Sequence, residues 1–359
     1  MKPIEPEKAG RILIRGTNWI GDAVMSIPAM MEIRRIFPKS HISLLVRPWV
    51  KDVYSVVEFV DEVLEYDREG VHRGVGGLRR IAATLRRKKF DMAILLQNAF
   101  EAAWLAWLAG IPVRLGYARD ARAFLLTHAC RIDPRVRSVH QAYYYLGILS
   151  AAGLIDIAPW EHPEFPLRIQ IGVRPGDVES AKDMLRAQGI GAGQVVIGLN
   201  PGAYYGGAKR WLSDRYADVA DALARKHGAR IVIFGAAGER RIADEIAQRM
   251  KSAPVVLSGQ TTLGQLMGLL KECRLLITND SGPMHLAAAL DVPQLAIFGS
   301  TSEVATGPLS RQAEVIKHPV ECNPCFLREC PIDFRCMTSI TVERVLNEAE
   351  KKLAASGGR

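Results

Sequence analysis

RILIRGTNWIGDAVMSIPAMMEIRRIFPKSHISLLV, residues 11–46, carries one full unit of the fold. Arg11 to Arg15 is a short apolar run with strand character. A loop containing Gly16 and Gly21 follows, and from Asp22 to Phe37 apolar residues recur at helical spacing. His41 to Val46 is a second apolar run. Further on, a basic helix is expected over Leu78 to Lys89 and a strand over Met92 to Leu96. Strand, helix, strand at this rhythm implies a parallel sheet.

The rhythm then restarts. Ala158 to Asp177 (APWEHPEFPLRIQIGVRPGD) is proline-rich and irregular and reads as a linker. Beyond it strands are expected at Val195–Leu199, Arg230–Phe234, Val255–Leu257, Arg274–Thr278 and Gln294–Phe298. Helices are expected at Asp214–His227, Glu239–Met250, Leu263–Lys271, Met284–Leu290 and, last, from Thr341 to about Ala355. The fold class is α/β, with two doubly wound domains at 1–165 and 166–340 and a C-terminal helix and tail at 341–359. Such sheets bind ligands beyond the carboxyl ends of their strands, so the loops there are where chemistry is sought.

The bulk composition sets limits. A chain of 359 residues, 48% hydrophobic and 24% charged, is an ordinary globular protein and long enough for two cores. MKPIEPEKAG at the start is polar and unlike a secretory signal. The longest apolar stretch, Ala99 to Val113, is shorter than the ~20 residues a membrane span needs. A soluble, cytoplasmic protein is expected. Between Arg68 and Arg137 there are 14 Lys and Arg against 5 Asp and Glu, an excess equal to the whole chain's net charge of +9. Such a concentration of cations suits an anionic partner, either a phosphorylated substrate or a membrane face. No nucleic-acid-binding motif accompanies it. Trp104 and Trp107 lie near this segment and are either core residues or an interfacial anchor. Cys322, Cys325, Cys330 and Cys336 form C-x2-C-x4-C-x5-C. Four thiolates can close a tetrahedral metal shell, but the second pair lacks the short spacing of zinc ribbons. Metal ligands and reduced structural or redox-labile thiols are the alternatives.

Three loops after strands stand out. In Gly16–Asp22, the G-x4-G spacing lacks the Lys-Ser or Lys-Thr of a P-loop. Asp22 stands where a helix starts, as either an N-cap or a general base for a sugar hydroxyl, and Asn18, Trp19 and Gly21 beside it are candidate acceptor contacts. Asn200–Trp211 (NPGAYYGGAKRW) has glycines that allow close backbone approach at Gly202 and Ala203, and cations at Lys209 and Arg210 to neutralise a departing diphosphate. Trp211 is expected to pack. Asn279–His285 (NDSGPMH) feeds a helix N-terminus, a natural anion site. Here Asp280 can hold sugar hydroxyls, Ser281 can cap or bind, and Gly282 and His285 can face phosphates. Glu239, after Arg230–Phe234, is placed to bind ribose hydroxyls. Gly299–Ser302 is a weaker source of phosphate donors.

Taken together, N-W-I-G-D-A-V-M-S-I-P (Asn18 to Pro28), N-P-G-A-x5-K-R-W (Asn200 to Trp211) and N-D-S-G-P-M-H-L-A-A-A (Asn279 to Ala289) resemble glycosyltransferase family 9, the ADP-heptose:lipopolysaccharide heptosyltransferases, in particular those of type II. The stretch from Cys322 is also similar to theirs. The resemblance implies a GT-B architecture, two Rossmann-like domains facing a central cleft, with the acceptor on the N-terminal domain and the nucleotide sugar on the C-terminal one. It implies an inverting reaction with no metal and no cofactor. Asp22 would be the base and Lys209 would meet the donor phosphates, while Asp280, Ser281, Gly282 and His285 would line the donor site. The implied partners are ADP-heptose, a Kdo2-lipid A-type acceptor and the inner face of the cytoplasmic membrane. Leu212 stands where many relatives carry Pro, a change expected to alter only how the next helix begins. A nucleotide-sugar epimerase, a transferase with another acceptor and a catalytically silent binding protein are the rival readings.

Overall fold

The computed structural model describes residues 3–162, 165, 167 and 169–355. Positions 163, 164, 166 and 168 of the expected linker, and 356–359 of the tail, lie outside the described residues. The chain divides into two compact units, Met1–Ile169 and Gln170–Arg359.

In the first unit the strands are β1 (Arg11–Arg15), β2 (His41–Val46), β3 (Glu62–Glu65), β4 (Met92–Leu95), β5 (Val113–Tyr117) and β6 (His128–Cys130). They pair in parallel in the order β3-β2-β1-β4-β5-β6. In the second unit β7 (Val196–Asn200), β8 (Arg230–Ile233), β9 (Val255–Val256), β10 (Leu275–Asn279), β11 (Gln294–Phe298) and β12 (Ala313–Lys317) form a parallel sheet ordered β12-β11-β10-β7-β8-β9. Counted within its own unit, each sheet has the doubly wound order 3-2-1-4-5-6. In each, the order reverses between the unit's first and fourth strands. That places one switch point between β1 and β4 and the other between β7 and β10.

The central strands are buried along their length, as in ILI of β1, LLIT of β10 and QLAIF of β11. A strand covered by helices on both faces reads as a continuous apolar run, which is why these were plain in the sequence. β3 (EVLE) is half-exposed at a sheet edge, and its acidic ends hide it.

The expected helix from Asp22 to Phe37 is two helices, Ile20–Met25 and Ile27–Ile36, broken at Ser26. Pro28 lacks an N–H and its ring would meet the carbonyl one turn back, so a continuous helix cannot pass it. At the second position of a new helix it costs nothing. The basic helix begins earlier than expected, at Gly74, and runs to Arg87 with Leu78, Ile81 and Leu85 buried. Helix Pro175–Ala187 starts inside the stretch expected to be linker, with its proline in the first turn. The last helix, Val342–Ala355, contributes Val345, Ala349 and Leu353 to the core of the second unit.

Candidate active site

In the second unit the site grows from two asparagines that end neighbouring strands. Asn279, at the end of β10, is fully buried. Its Nδ2 donates to the Pro201 carbonyl at 2.7 Å, and its Oδ1 accepts from the Trp211 N–H at 3.1 Å and the Tyr216 hydroxyl at 3.0 Å. One side chain thus pins both ends of the 201–211 loop. Trp211 is buried as expected and donates through Nε1 to the Ile340 carbonyl at 3.0 Å. Asn200, at the end of β7, donates to Ser281 Oγ at 3.0 Å and Thr278 Oγ1 at 3.3 Å. Ser281 stands at the N-cap position of helix Gly282–Ala289 without a side-chain capping bond, so its hydroxyl serves Asn200. Of the two alternatives for Ser281, the cap is absent, and a tie between the two strand ends stands in its place.

Across this frame lie Lys209 and Asp280. Lys209 Nζ donates to Asp280 Oδ2 at 2.5 Å, with 14% and 4% of the two side chains exposed. Thr301 Oγ1 donates to the same oxygen at 2.6 Å and Thr306 Oγ1 at 3.5 Å. The Tyr205 ring centroid is 5.0 Å from the ammonium. Asp280 therefore holds the lysine expected to meet phosphate. Such a buried pair persists because further hydrogen bonds satisfy the carboxylate.

His285 is buried on the first turn of its helix. Arg210 donates from Nη2 to the Ala203 carbonyl at 3.1 Å, which closes its own loop. Glu239 accepts the Ala236 N–H at 2.8 Å, and Gly202 sits so close that a Cβ there would lie 2.2 Å from the Glu239 carboxyl carbon. Gly202 and Glu239 are thus brought together.

A third segment braces the Lys209 loop. Tyr205 donates its hydroxyl to the Phe326 carbonyl at 2.6 Å, Ala208 its N–H to the Arg328 carbonyl at 2.8 Å, and Gly207 its N–H to Glu329 Oε1 at 3.0 Å. Phe326 in turn donates to the Ser300 carbonyl at 2.8 Å. This is the stretch that bears Cys322, Cys325, Cys330 and Cys336. Among the described residues no group of three His, Cys, Asp or Glu is gathered to hold a metal ion. Cys322 is exposed, Cys325 and Cys330 are half-buried, and Cys336 is part of the second unit's apolar core, where burial raises its thiol pKa. The segment's main-chain bonds fix it along the loop, and Cys322, Cys325 and Cys330 lie near enough to Cys336 to add to the rise in its thiol pKa.

In the first unit, Arg15 at the end of β1 is buried and donates to the Gly16 and Leu45 carbonyls at 2.7 and 3.1 Å and to Asn18 Oδ1 at 3.0 Å. Burial lowers its pKa to about 9. Trp49 Nε1 donates to the Asn18 carbonyl at 2.7 Å, so Asn18 is held from both sides. Trp19 is exposed and Gly21 half-buried. Asp22 is not a cap. That position belongs to Trp19, and Asp22 lies in the first turn of Ile20–Met25. Its Oδ1 accepts a hydrogen bond from the hydroxyl of buried Tyr145 at 2.8 Å. Burial, with the Asp22 charge beside it, raises the Tyr145 pKa well above its usual value. Tyr145, Thr301 and Tyr205 are the site residues the sequence did not single out. Thr301 and Tyr205 lay in loops the sequence marked, Gly299–Ser302 and Asn200–Trp211, while Tyr145 carried no signal.

Residues 78–334 match the family described as glycosyltransferase family 9 (heptosyltransferase). The chain belongs to that family. It is a glycosyltransferase. The chain is 30% identical to lipopolysaccharide heptosyltransferase 2 of Salmonella typhimurium, over 97% of this chain and 99% of that one. It is 30% identical to the Escherichia coli K12 heptosyltransferase 2, over 86% and 88%. The solved structure of E. coli ADP-heptose lps heptosyltransferase II superposes with a TM-score of 0.83 at 29% identity, covering 97% of this chain and 100% of that one. A family 9 glycosyltransferase from Veillonella parvula superposes equally well, with a TM-score of 0.83 at 25% identity over 96% and 97%. The two-unit α/β architecture of this family 9 member is thus that of solved heptosyltransferases.

Proposed function

We propose that this family 9 enzyme transfers a heptose from ADP-heptose to the inner core of a lipopolysaccharide precursor, with inversion at the anomeric carbon. The relatives named for that reaction support the donor and acceptor, and the arrangement of the loops supports the roles. Asp22 accepts the proton of an acceptor hydroxyl. That oxygen bonds to the anomeric carbon as the bond from that carbon to the diphosphate oxygen breaks, and ADP departs with the electron pair. Lys209 and the N–H groups opening helix Gly282–Ala289 offset the charge that accumulates on the diphosphate. Gly202, Ala203 and Glu239 take the nucleoside side, and Asn18, Trp19 and Gly21 the acceptor. The observation that carries this reading is the Lys209 ammonium held 2.5 Å from Asp280 beside a helix N-terminus at the β7/β10 switch point. The basic first unit suits an acceptor bearing phosphates and Kdo carboxylates, at the cytoplasmic face of an anionic membrane. Among the described residues no helix is long and apolar enough to cross that membrane.

The test is turnover with ADP-heptose and monoheptosylated Kdo2-lipid A, following ADP release and product mass. A gain of one heptose is expected. ADP release without that gain keeps the donor and moves the acceptor elsewhere. An epimerised donor formed without acceptor, or donor binding with no turnover, overturns the proposal.

A further inference from the structure

Helix Phe100–Leu108 carries Phe100, Trp104 and Trp107 at i, i+4 and i+7, which places them on one face. Phe124, from the short turn Ala123–Leu125, extends that face. Its ring centroid is 6.2 Å from that of Phe100, and Phe100 is 6.4 Å from Trp104. Trp104 packs against the core of the first unit and anchors the row. The others face outward: Phe124 is 76% exposed, Trp107 51% and Phe100 41%. Contiguous large apolar side chains left in water mark a surface that something covers.

Cations frame this surface. Arg86 donates to the Leu108 carbonyl at 2.5 Å, at the C-terminal end of the helix. Arg68 pairs with Glu101 at 3.1 Å, at its N-terminal end. Arg119 opens the turn that leads to Phe124 and accepts the Arg122 N–H on its carbonyl at 3.1 Å. Glu101 is engaged by Arg68 and by Arg47 at 3.6 Å, and Asp120 follows Arg119 in the chain. We propose that the Phe100–Trp104–Trp107–Phe124 face, with Arg68, Arg86 and Arg119 around it, seats the first unit on a bilayer containing anionic lipid. Aromatic rings sit at the headgroup level and guanidinium groups meet lipid phosphates. A second copy of the chain would bring the same cations against each other, so charge selects the lipid. The assignment rests on the membrane reading above and adds the surface that makes the contact.

The experiment is co-sedimentation with phosphatidylethanolamine–phosphatidylglycerol vesicles against phosphatidylcholine vesicles, at low and high salt. The wild type is expected to partition onto the anionic vesicles and to be released by salt. The double variants Trp107→Ser/Phe124→Ser and Arg86→Glu/Arg119→Glu are each expected to weaken partitioning at least about tenfold. Both should retain wild-type melting and ADP release with detergent-dispersed acceptor. The tryptophan emission of the wild type should shift to the blue on anionic vesicles, less so in Trp107→Phe, a reading that does not depend on the double variants folding. A wild type that ignores both vesicles overturns the membrane reading and the surface together. Unchanged partitioning of both double variants overturns the surface alone. A wild-type dimer that the aromatic variant disperses, with partitioning unaltered, shows the face to be a self-contact and also overturns the assignment.

Discussion

Tyr145 acts on Asp22 through one hydroxyl. Burial, and the Asp22 carboxylate beside it, raise the Tyr145 pKa, and a hydroxyl that donates to a carboxylate favours its ionised form. Tyr54, whose hydroxyl donates to the Ala23 carbonyl at 3.2 Å, feels the charges of both Asp22 and Arg15. Tyr145→Phe keeps the ring and removes the bond. Asp22, as the proposed base, must be ionised to work, and without the bond ionisation requires a higher pH. The acid limb of the kcat/KM profile is therefore expected to move to higher pH, with kcat reduced about tenfold and donor KM unchanged. A profile that does not move makes the contact structural. At the second site, Lys209→Met is expected to lower kcat/KM about 100-fold, mostly through donor use. It should also cost roughly 3 kcal/mol of stability, because Asp280 loses its counter-charge; donor titration and a melting curve check both. None of these pairings is written locally. Tyr145 lies 123 residues from Asp22 and Asp280 lies 71 from Lys209, so the sequence named both loops but not which side chain would hold which.

Loops and helices were legible to different degrees. Strand ends were readable because buried parallel strands are unbroken apolar runs, and the residues that follow them are polar and glycine-rich. Helix starts were less so. Asp22 looked like a cap, yet Pro28 reset the helix after it and Trp19 took the capping position. The spacing of four cysteines says nothing of the main-chain bonds that set the position of that segment. Gly206 shows how tight the brace is, since a Cβ there would lie 2.3 Å from the Arg328 carbonyl oxygen. Gly206→Ala must push the 323–329 segment away from the Lys209 loop. The expected result is a donor KM raised severalfold and faster alkylation of Cys325, with acceptor KM unchanged. Alkylation at the wild-type rate would show that the loop absorbs the methyl group elsewhere.

At the scale of the molecule, two sheets of the same strand order are built from sequences with no visible repeat. What they share is the alternation of apolar runs and amphipathic helices, and this made the fold class plain. The edge strands β3, β6 and β12, the interior strand β5 and the helices at Phe100–Leu108 and Gln141–Ala151 went unread. Val345, fully buried on the last helix, ties that helix into the second unit. Val345→Asp is expected to cost about 3 kcal/mol or more by burying an unpaired carboxylate. Hydrogen exchange should show protection lost in β7 and β10 and kept in β1 and β4. Loss in both sheets would mean that the units unfold together.

The partners of the Lys209 loop have a further consequence. Tyr205 is held by Phe326, 121 residues later, and Trp211 by Ile340, 129 residues later. Synthesis from the N-terminal side makes the segment bearing Asp22, the proposed base, well before these partners. The Lys209 loop must wait in the growing polypeptide until the stretch that clasps it has emerged. The proposed handling of the activated sugar therefore waits on residues as far along as Ile340, well after the part assigned to the acceptor has been made.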